Sequence, residues 1–221
     1  MNLRIFDSTD DLIRAAARTL MQRIEAGARS IALSGGSTPK PLYQLLGQND
    51  ALRAIPITWV VVDERYVPID DPQSNAGMIM KTLKLERLIR FKTELGDPAR
   101  TAEEFEREFR PFNPLDIILL GIGDDGHTAS LFPGTTALNV EDRLATEVFV
   151  PKLNAWRVTL TKPPLRAAGL RIVLATGESK RPILEEVRAG ADYPIAIVTR
   201  GIETWWFVDR AAAPAEMSSR A

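Results

Sequence analysis

One apolar stretch in the middle of the chain constrains the fold more than any other feature. Residues 117–120 form a continuous apolar run of strand length, and glycines and acids follow it directly. A run of this kind, bounded by glycine, is typical of a strand that is buried on both faces. In open parallel sheets, ligands bind beyond the carboxyl ends of the strands. The single histidine of the chain, His127, follows this strand, so we expect it near a ligand site.

Apolar runs elsewhere alternate with segments of helical periodicity. The other predicted strands are residues 3–6, 30–34, 57–62, 157–161, 171–176, 195–198 and 204–208. Predicted helices begin after Ser8, at Pro39 with Thr38 as the N-cap, near Ser74, at Thr101 and after Gly177. The alternation predicts an α/β fold with a mostly parallel sheet covered on both faces. We expect one domain over residues 1–221, with a frayed tail from about residue 211.

Composition excludes several classes of protein. The 28 basic and 29 acidic residues give a net charge of −1 without a polybasic run, so nothing favours nucleic-acid binding. With no cysteine and one histidine, disulfides and thiolate chemistry are excluded and a zinc site has almost no ligands. The amino terminus does not resemble a signal peptide, and no apolar stretch approaches the ~18 residues of a membrane span. We therefore expect a cytoplasmic protein without a metal, a cofactor or a membrane partner.

The first candidate site is the glycine turn, which comprises Gly35, Gly36, Ser37 and Thr38. A strand that passes through glycines into a helix exposes backbone N–H groups, which attract phosphate. The spacing is not that of a Walker A loop. A plain strand-to-helix turn with a good cap explains the pattern equally well, and both interpretations remain open.

The second candidate site is Asp63, Glu64 and Arg65, at the carboxyl end of a predicted strand. An arginine there could bind an anion, and the carboxylates could orient it or bind sugar hydroxyls. The alternative is a surface ion pair of little energetic consequence. The three residues alone favour the ion pair, but the position at a strand end adds weight to the functional interpretation, with Asp63 and Arg65 as candidate substrate-binding residues.

The third candidate site is the loop after the central strand, where Gly121, Gly123 and Gly126 fit the dinucleotide pattern G-x-G-x-x-G. We reject nucleotide binding because two acids lie inside the loop, where they would repel a pyrophosphate, and no long helix can follow. Asp125 could instead orient His127 or stabilise its protonated form. A lone histidine is more often structural, but its surroundings favour catalysis here.

Two later basic residues, Arg157 and Lys180, are weaker candidates. Lys180 lies in the first turn of a predicted helix, where a cation opposes the helix dipole unless an anion is bound. From the residues alone, the favoured interpretation is that they are two solvated basic side chains among 28.

Together these segments resemble the 6-phosphogluconolactonase family, within the glucosamine- and galactosamine-6-phosphate isomerase superfamily. The matching segments are Ser34-Gly-Gly-Ser-Thr-Pro39, Asp63-Glu-Arg65, Gly121-Ile-Gly-Asp-Asp-Gly-His-Thr-Ala-Ser-Leu-Phe-Pro-Gly134, Arg157-Val-Thr-Leu-Thr161 and Gly177-Glu-Ser-Lys180. The resemblance implies a Rossmann-like three-layer α/β/α fold and hydrolysis of 6-phosphogluconolactone in the pentose phosphate pathway. It implies that His127 is the general base with Asp125 beside it. It further implies phosphate-end contacts from Gly35, Gly36, Ser37, Thr38, Arg65, Arg157 and Lys180.

Glucosamine-6-phosphate deaminases, which are aldose–ketose isomerases, also resemble this chain in the glycine turn and around His127. Their motif continues through asparagine and glutamate, whereas this chain has Leu131 and Phe132. Their acidic pair precedes a tyrosine, whereas Arg65 stands here. A sugar-phosphate sensor without activity is a further alternative. The expected partner is a sugar phosphate lactone, and we expect a monomer or a weak homo-oligomer.

Overall fold

The computed structural model describes residues 1–215, and within this range strands alternate with helices along most of the chain. The strands are β1 (Asn2–Phe6), β2 (Ser30–Leu33), β3 (Thr58–Val61), β4 (Asp63–Arg65), β5 (Ile117–Gly121), β6 (Ala145–Val150), β7 (Ala155–Leu160), β8 (Leu170–Ala175) and β9 (Thr204–Asp209). The helices are α1 (Thr9–Glu25), α2 (Lys40–Leu46), α3 (Asp50–Arg53), α4 (Asn75–Leu83), α5 (Pro98–Phe109), α6 (Lys162–Ala167), α7 (Arg181–Ala189) and α8 (Pro194–Thr199). Single 3-10 turns are Thr93–Leu95, Arg110–Phe112, Thr136–Asn139, Pro151–Leu153 and Glu178–Lys180.

Six strands form one sheet in the order β1-β9-β8-β5-β2-β3, and every neighbouring pair is parallel. The apolar run of β5 is at most 1% exposed and lies in the middle of this sheet. Each such side chain contributes about 1.5–3 kcal/mol on burial, so the run fixes β5 as a central strand. With helices on both faces, the predicted three-layer α/β/α class with a mostly parallel sheet is confirmed.

A second, smaller sheet of β4, β7 and β6 is antiparallel and was not predicted as a separate unit. The predicted strand 57–62 ends earlier, and Asp63, Glu64 and Arg65 form β4 in the second sheet. Val62 connects the two sheets, because its N–H donates to Leu33 of β2 and its carbonyl accepts from Leu160 of β7. The three polar residues are therefore part of a strand, not of a loop.

Two predictions of local structure are wrong. Residues 195–198 form part of helix α8, since Pro194 supplies the fixed φ of a first helical turn and four apolar residues carry no clear period. Thr38 does not cap α2, which begins at Lys40 after a turn and has Pro39 at its N-cap position. The Thr38 hydroxyl instead lies 3.3 Å from the Thr176 hydroxyl.

The expected fraying of the carboxyl-terminal tail does not hold for residues 211–215. Ala212 and Ala213 are fully buried, and the N–H groups of both bond to Asp209. Residues 216–221 lie outside the described part of the chain, so the prediction is untested there. Within residues 1–215, no helix is long and apolar enough to cross a membrane.

The buried carboxylate of Glu64 ties the second sheet to helix α4. It accepts the backbone N–H groups of Arg65, Asn75 and Ala76 and the hydroxyl of Ser74, at 2.7–3.0 Å. Burial raises the pKa of Glu64, and these hydrogen bonds oppose the rise. Four donors therefore converge on one acceptor at the start of α4.

Replacing Glu64 with glutamine should lower the free energy of unfolding by about 1–3 kcal/mol. The amide nitrogen of glutamine cannot accept a hydrogen bond, so some of the buried donors would lose their acceptor. Urea unfolding measures the change. Glu103→Gln is the control, since Glu103 is exposed on α5 and should change stability by less than about 0.5 kcal/mol. Equal stability of both variants would show that the Glu64 contacts contribute nothing.

Candidate active site

A cleft of about 680 Å³ opens where the carboxyl ends of β2, β5 and β8 meet the second sheet. These three strands are neighbours, so the segments that follow them lie side by side. The predicted site residues that line the cleft are Gly35, Gly36, Ser37, Thr38, Asp63, Arg65, His127, Arg157 and Lys180. Asp125 lies behind His127 and contacts its ring. The structure thus brings together the predicted catalytic and substrate-binding residues, whereas Glu64 points away from the cleft to the start of α4.

His127 is held by a tight loop after β5. The N–H of Gly123 donates to the carbonyl of His127 at 2.8 Å, which closes the loop. A Cβ on Gly123 would lie 1.9 Å from the Nδ1 atom of His127, so only glycine allows the imidazole to lie against this backbone. On its other side, the ring stacks on Phe132 with 4.1 Å between ring centroids.

Asp125 fixes the orientation of the imidazole. Its Oδ1 atom lies 2.5 Å from Nδ1 of His127 and also accepts the backbone N–H of His127 at 3.2 Å. Because a carboxylate oxygen accepts, the neutral ring carries its proton on Nδ1 and leaves the lone pair of Nε2 free. The His127 side chain keeps 30% of its surface exposed, so the ring is accessible from the cleft.

Burial lowers the pKa of His127 below its ordinary value. The cations Lys180 and Arg157 lower the pKa further, while the carboxylates Asp63 and Asp124 oppose the change. The net direction is downward, so the ring is neutral at pH 7. A neutral imidazole with a free Nε2 lone pair is a general base.

Arg65 and Arg157 face each other across the antiparallel pair of β4 and β7. Like charges directly opposite one another repel, and both side chains line the cleft. Burial and the nearby charge of Arg65 lower the pKa of Arg157. Nη1 of Arg65 donates to the carbonyl of Gln73 at 2.8 Å, which holds one side of its guanidinium. An anion bound between the two arginines would relieve their repulsion.

Asp63, Glu64 and Arg65 alternate in direction, as successive residues of a strand do. Asp63 and Arg65 line the cleft, whereas Glu64 binds the start of α4. Asp63 is only 7% exposed and accepts the hydroxyl of Ser130 at 2.7 Å. Burial raises the pKa of Asp63, while the Ser130 hydrogen bond lowers it. The alternative of a solvated surface ion pair is therefore wrong.

The glycine turn and Lys180 form the other wall of the cleft. A Cβ on Gly35 would lie 1.7 Å from Oδ1 of Asn75, so glycine is needed for this close approach. Asn75 in turn donates from Nδ2 to the carbonyl of Asp63 at 2.8 Å. The Nζ atom of Lys180 bonds to Asp124 at 2.6 Å, so its charge is shared with an exposed carboxylate.

Sequence reasoning did not identify Asn75, Ser130 and Lys152, which also line the cleft. Ser130 lies within the long central motif and Asn75 follows a helix cap, so both carried a weak signal. Lys152 lies between β6 and β7, in a segment without a clear pattern. Among residues 1–215, no three His, Asp or Glu side chains are grouped closely enough to hold a metal ion.

The family model described as glucosamine-6-phosphate isomerases/6-phosphogluconolactonase matches residues 7–206. The chain belongs to this family. Among its curated relatives, 6-phosphogluconolactonase of Nostoc sp. is 40% identical, covering 94% of this chain and 92% of the relative. The 6-phosphogluconolactonase of Synechocystis sp. is 37% identical, covering 91% of this chain and 90% of the relative. The solved structure of 6-phosphogluconolactonase from Trypanosoma cruzi superimposes with a TM-score of 0.86, at 28% identity, over 96% of this chain and 95% of that one.

The resemblance seen in the sequence motifs is thereby confirmed at the level of the family. The match runs from Asp7 before α1 to Trp206 within β9 and includes strands of both sheets, but not β1. It therefore includes the glycine turn, β4, the His127 loop, β7 and Lys180. All candidate site residues therefore lie within the region that the family model matches.

Because His127 is the single histidine of the protein, its titration can be followed in one proton NMR signal, that of the ring Cε1–H. We expect a pKa below 6.5 in the folded protein, since burial favours the neutral form, and a pKa near 6.5 in urea. Lys180→Gln should raise the folded-state pKa because it removes a nearby cation.

The control is Lys81→Gln, which changes an exposed lysine of α4 and should leave the His127 pKa unchanged. A folded-state pKa at or above the value in urea would contradict the proposed electrostatics of the cleft.

Proposed function

We propose that this protein hydrolyses 6-phospho-D-glucono-1,5-lactone to 6-phospho-D-gluconate, a step of the oxidative pentose phosphate pathway, with His127 as the general base. The observation that carries the proposal is that a neutral, accessible imidazole and four basic side chains line one cleft. The names of the relatives that match over most of the chain support the substrate. A cytoplasmic location and a single domain over residues 1–221 remain part of the proposal.

The phosphate group of the lactone would be held by the glycine turn together with Arg65, Arg157 and Lys180. Guanidinium groups bind phosphate oxygens through paired hydrogen bonds, and the facing arginines lose their mutual repulsion when an anion lies between them. The turn adds backbone N–H groups and the hydroxyls of Ser37 and Thr38. Asp63 would accept hydrogen bonds from sugar hydroxyls.

With the phosphate fixed, the lactone carbonyl is directed toward His127. The Nε2 atom takes a proton from a water molecule while the water oxygen attacks C1. The tetrahedral intermediate then collapses, and the bond between C1 and the ring oxygen breaks. The imidazolium returns its proton to that oxygen, so one water is added and the histidine is regenerated. Asp125 stabilises the imidazolium and keeps Nε2 directed at the water.

The rival function is that of a glucosamine-6-phosphate deaminase, which the family description also includes. In this chain the aromatic ring of Phe132 stacks on His127 where the deaminase motif has a carboxylate residue. An aromatic ring cannot accept a proton, so the deaminase type of histidine relay is incomplete here. This contact favours hydrolysis over isomerisation.

His127→Asn should reduce kcat for the lactone by about 10²–10⁴-fold, the usual contribution of a general base. KM should change little, because the phosphate contacts remain. Acid release in a pH-stat, corrected for spontaneous opening, measures both values. Near-normal turnover in the variant would exclude His127 as the base.

The wild-type protein separates the remaining alternatives. A non-catalytic sensor would show a thermal shift with 6-phosphogluconate but no hydrolysis above the spontaneous rate. A deaminase would release ammonia from glucosamine 6-phosphate. Lactone hydrolysis that is lost in His127→Asn, without ammonia release in either protein, is the expected result.

A further inference from the structure

Lys152 lies outside the motifs that define the site but contacts its centre. It belongs to the 3-10 turn Pro151–Leu153, which connects the antiparallel strands β6 and β7. Its side chain extends into the cleft, and its Nζ atom forms an ion pair with Oδ2 of Asp125. The turn of the second sheet is thereby joined to the loop that follows β5.

The carboxylate of Asp125 is divided between two partners. Oδ1 contacts Nδ1 and the backbone N–H of His127, while Oδ2 contacts Lys152. Lys152 also lies over the ring of Phe132, with Nζ 4.8 Å from the centroid, and Phe132 in turn stacks on His127. Lys152 therefore touches both side chains that hold the imidazole.

We propose that Lys152 is a positioning residue that acts on His127 through Asp125. This inference rests on the proposed function of His127 as the general base. Without a partner on Oδ2, the half-exposed Asp125 side chain can rotate and release Nδ1. With Lys152 in place, Oδ1 stays on Nδ1 and the free Nε2 keeps its direction.

Lys152 also changes the charge that His127 experiences. Its cation offsets part of the negative charge of Asp125, which favours the neutral form of the ring. The charged groups that surround His127 are Asp63, Asp124, Asp125, Lys152, Arg157 and Lys180. Removing one cation from this set should raise the His127 pKa and move the acidic limb of the pH–rate profile upward.

The stability of the fold should depend little on Lys152, because the pair is partly exposed, with 51% and 32% of the two side chains accessible. Exposed ion pairs contribute little to stability. Loss of a positioning residue should therefore change kcat and the pKa of His127 but not the melting temperature.

Lys152→Met keeps most of the length of the side chain and can still pack on Phe132, but it removes the charge. We expect kcat to fall about tenfold, since small misplacement of a catalytic group is costly, with KM changed less than about twofold. Lys152→Arg should restore most of kcat. The matched control is Lys92→Met, which breaks a lysine–carboxylate pair of similar exposure with Glu108 and should leave kcat unchanged.

The decisive arm repeats Lys152→Met in an Asp125→Asn background. If Lys152 acts through Asp125, the second substitution should reduce kcat by less than about twofold further, because the contact is already weakened. The same tenfold loss in both backgrounds, or a rise of KM instead of a fall of kcat, would overturn the proposal and indicate direct contact with substrate.

The NMR titration of His127 in Lys152→Met needs no substrate. An upward shift of the pKa relative to the wild type supports the coupling, and an unchanged pKa overturns it. Absence of lactone hydrolysis by the wild-type protein would refute the proposed function, and the titration would still test the link from Lys152 to His127.

Discussion

The parallel pairing of β2 with β5 is the constraint on which the cleft depends. The strand order runs outward from this pair, to β3 on one side and to β8, β9 and β1 on the other. Connections that diverge from two neighbouring strands leave a crevice at their carboxyl ends. The glycine turn leaves β2 at this point and the His127 loop leaves β5. The buried apolar run of β5 thus determines the position of the site through the position of the strand.

The second sheet supplies one buried carboxylate and two arginines of the cleft. Strand β4 brings Asp63 and Arg65 to the cleft, and β7 brings Arg157 directly opposite Arg65. Such an arrangement has an electrostatic cost in the absence of an anion. Around the imidazole, burial and cations favour the neutral base while carboxylates oppose them. One part of the cleft is suited to a phosphate and another to proton transfer.

Much of the fold followed from the sequence because apolar runs and helix caps are local signals. Helix starts were predicted after Ser8 and near Ser74, and these two serines are the N-caps of α1 and α4. The prediction of a strand at residues 195–198 was wrong because four apolar residues fit a strand and a helix equally, and Pro194 starts a helix here.

The site was partly predictable because some of its contacts are also local in the sequence. Asp125 and His127 are two residues apart in a glycine-rich loop, so their contact is local. Lys152 reaches Asp125 across 27 positions of the chain, and that contact requires the hairpin of β6 and β7. Pairing across sheets leaves no short-range pattern, so long-range contacts of this kind emerge only from the structure.

A structure of the protein in complex with 6-phosphogluconate would test most directly whether the phosphate-binding residues and His127 act on one substrate molecule. We expect the phosphate to contact Arg65, Arg157 and Lys180, and the C1 carboxylate to lie within about 3.2 Å of Nε2 of His127 or one water away. A complex in which C1 points away from His127, or in which the phosphate binds outside this cleft, would contradict the assignment of the site.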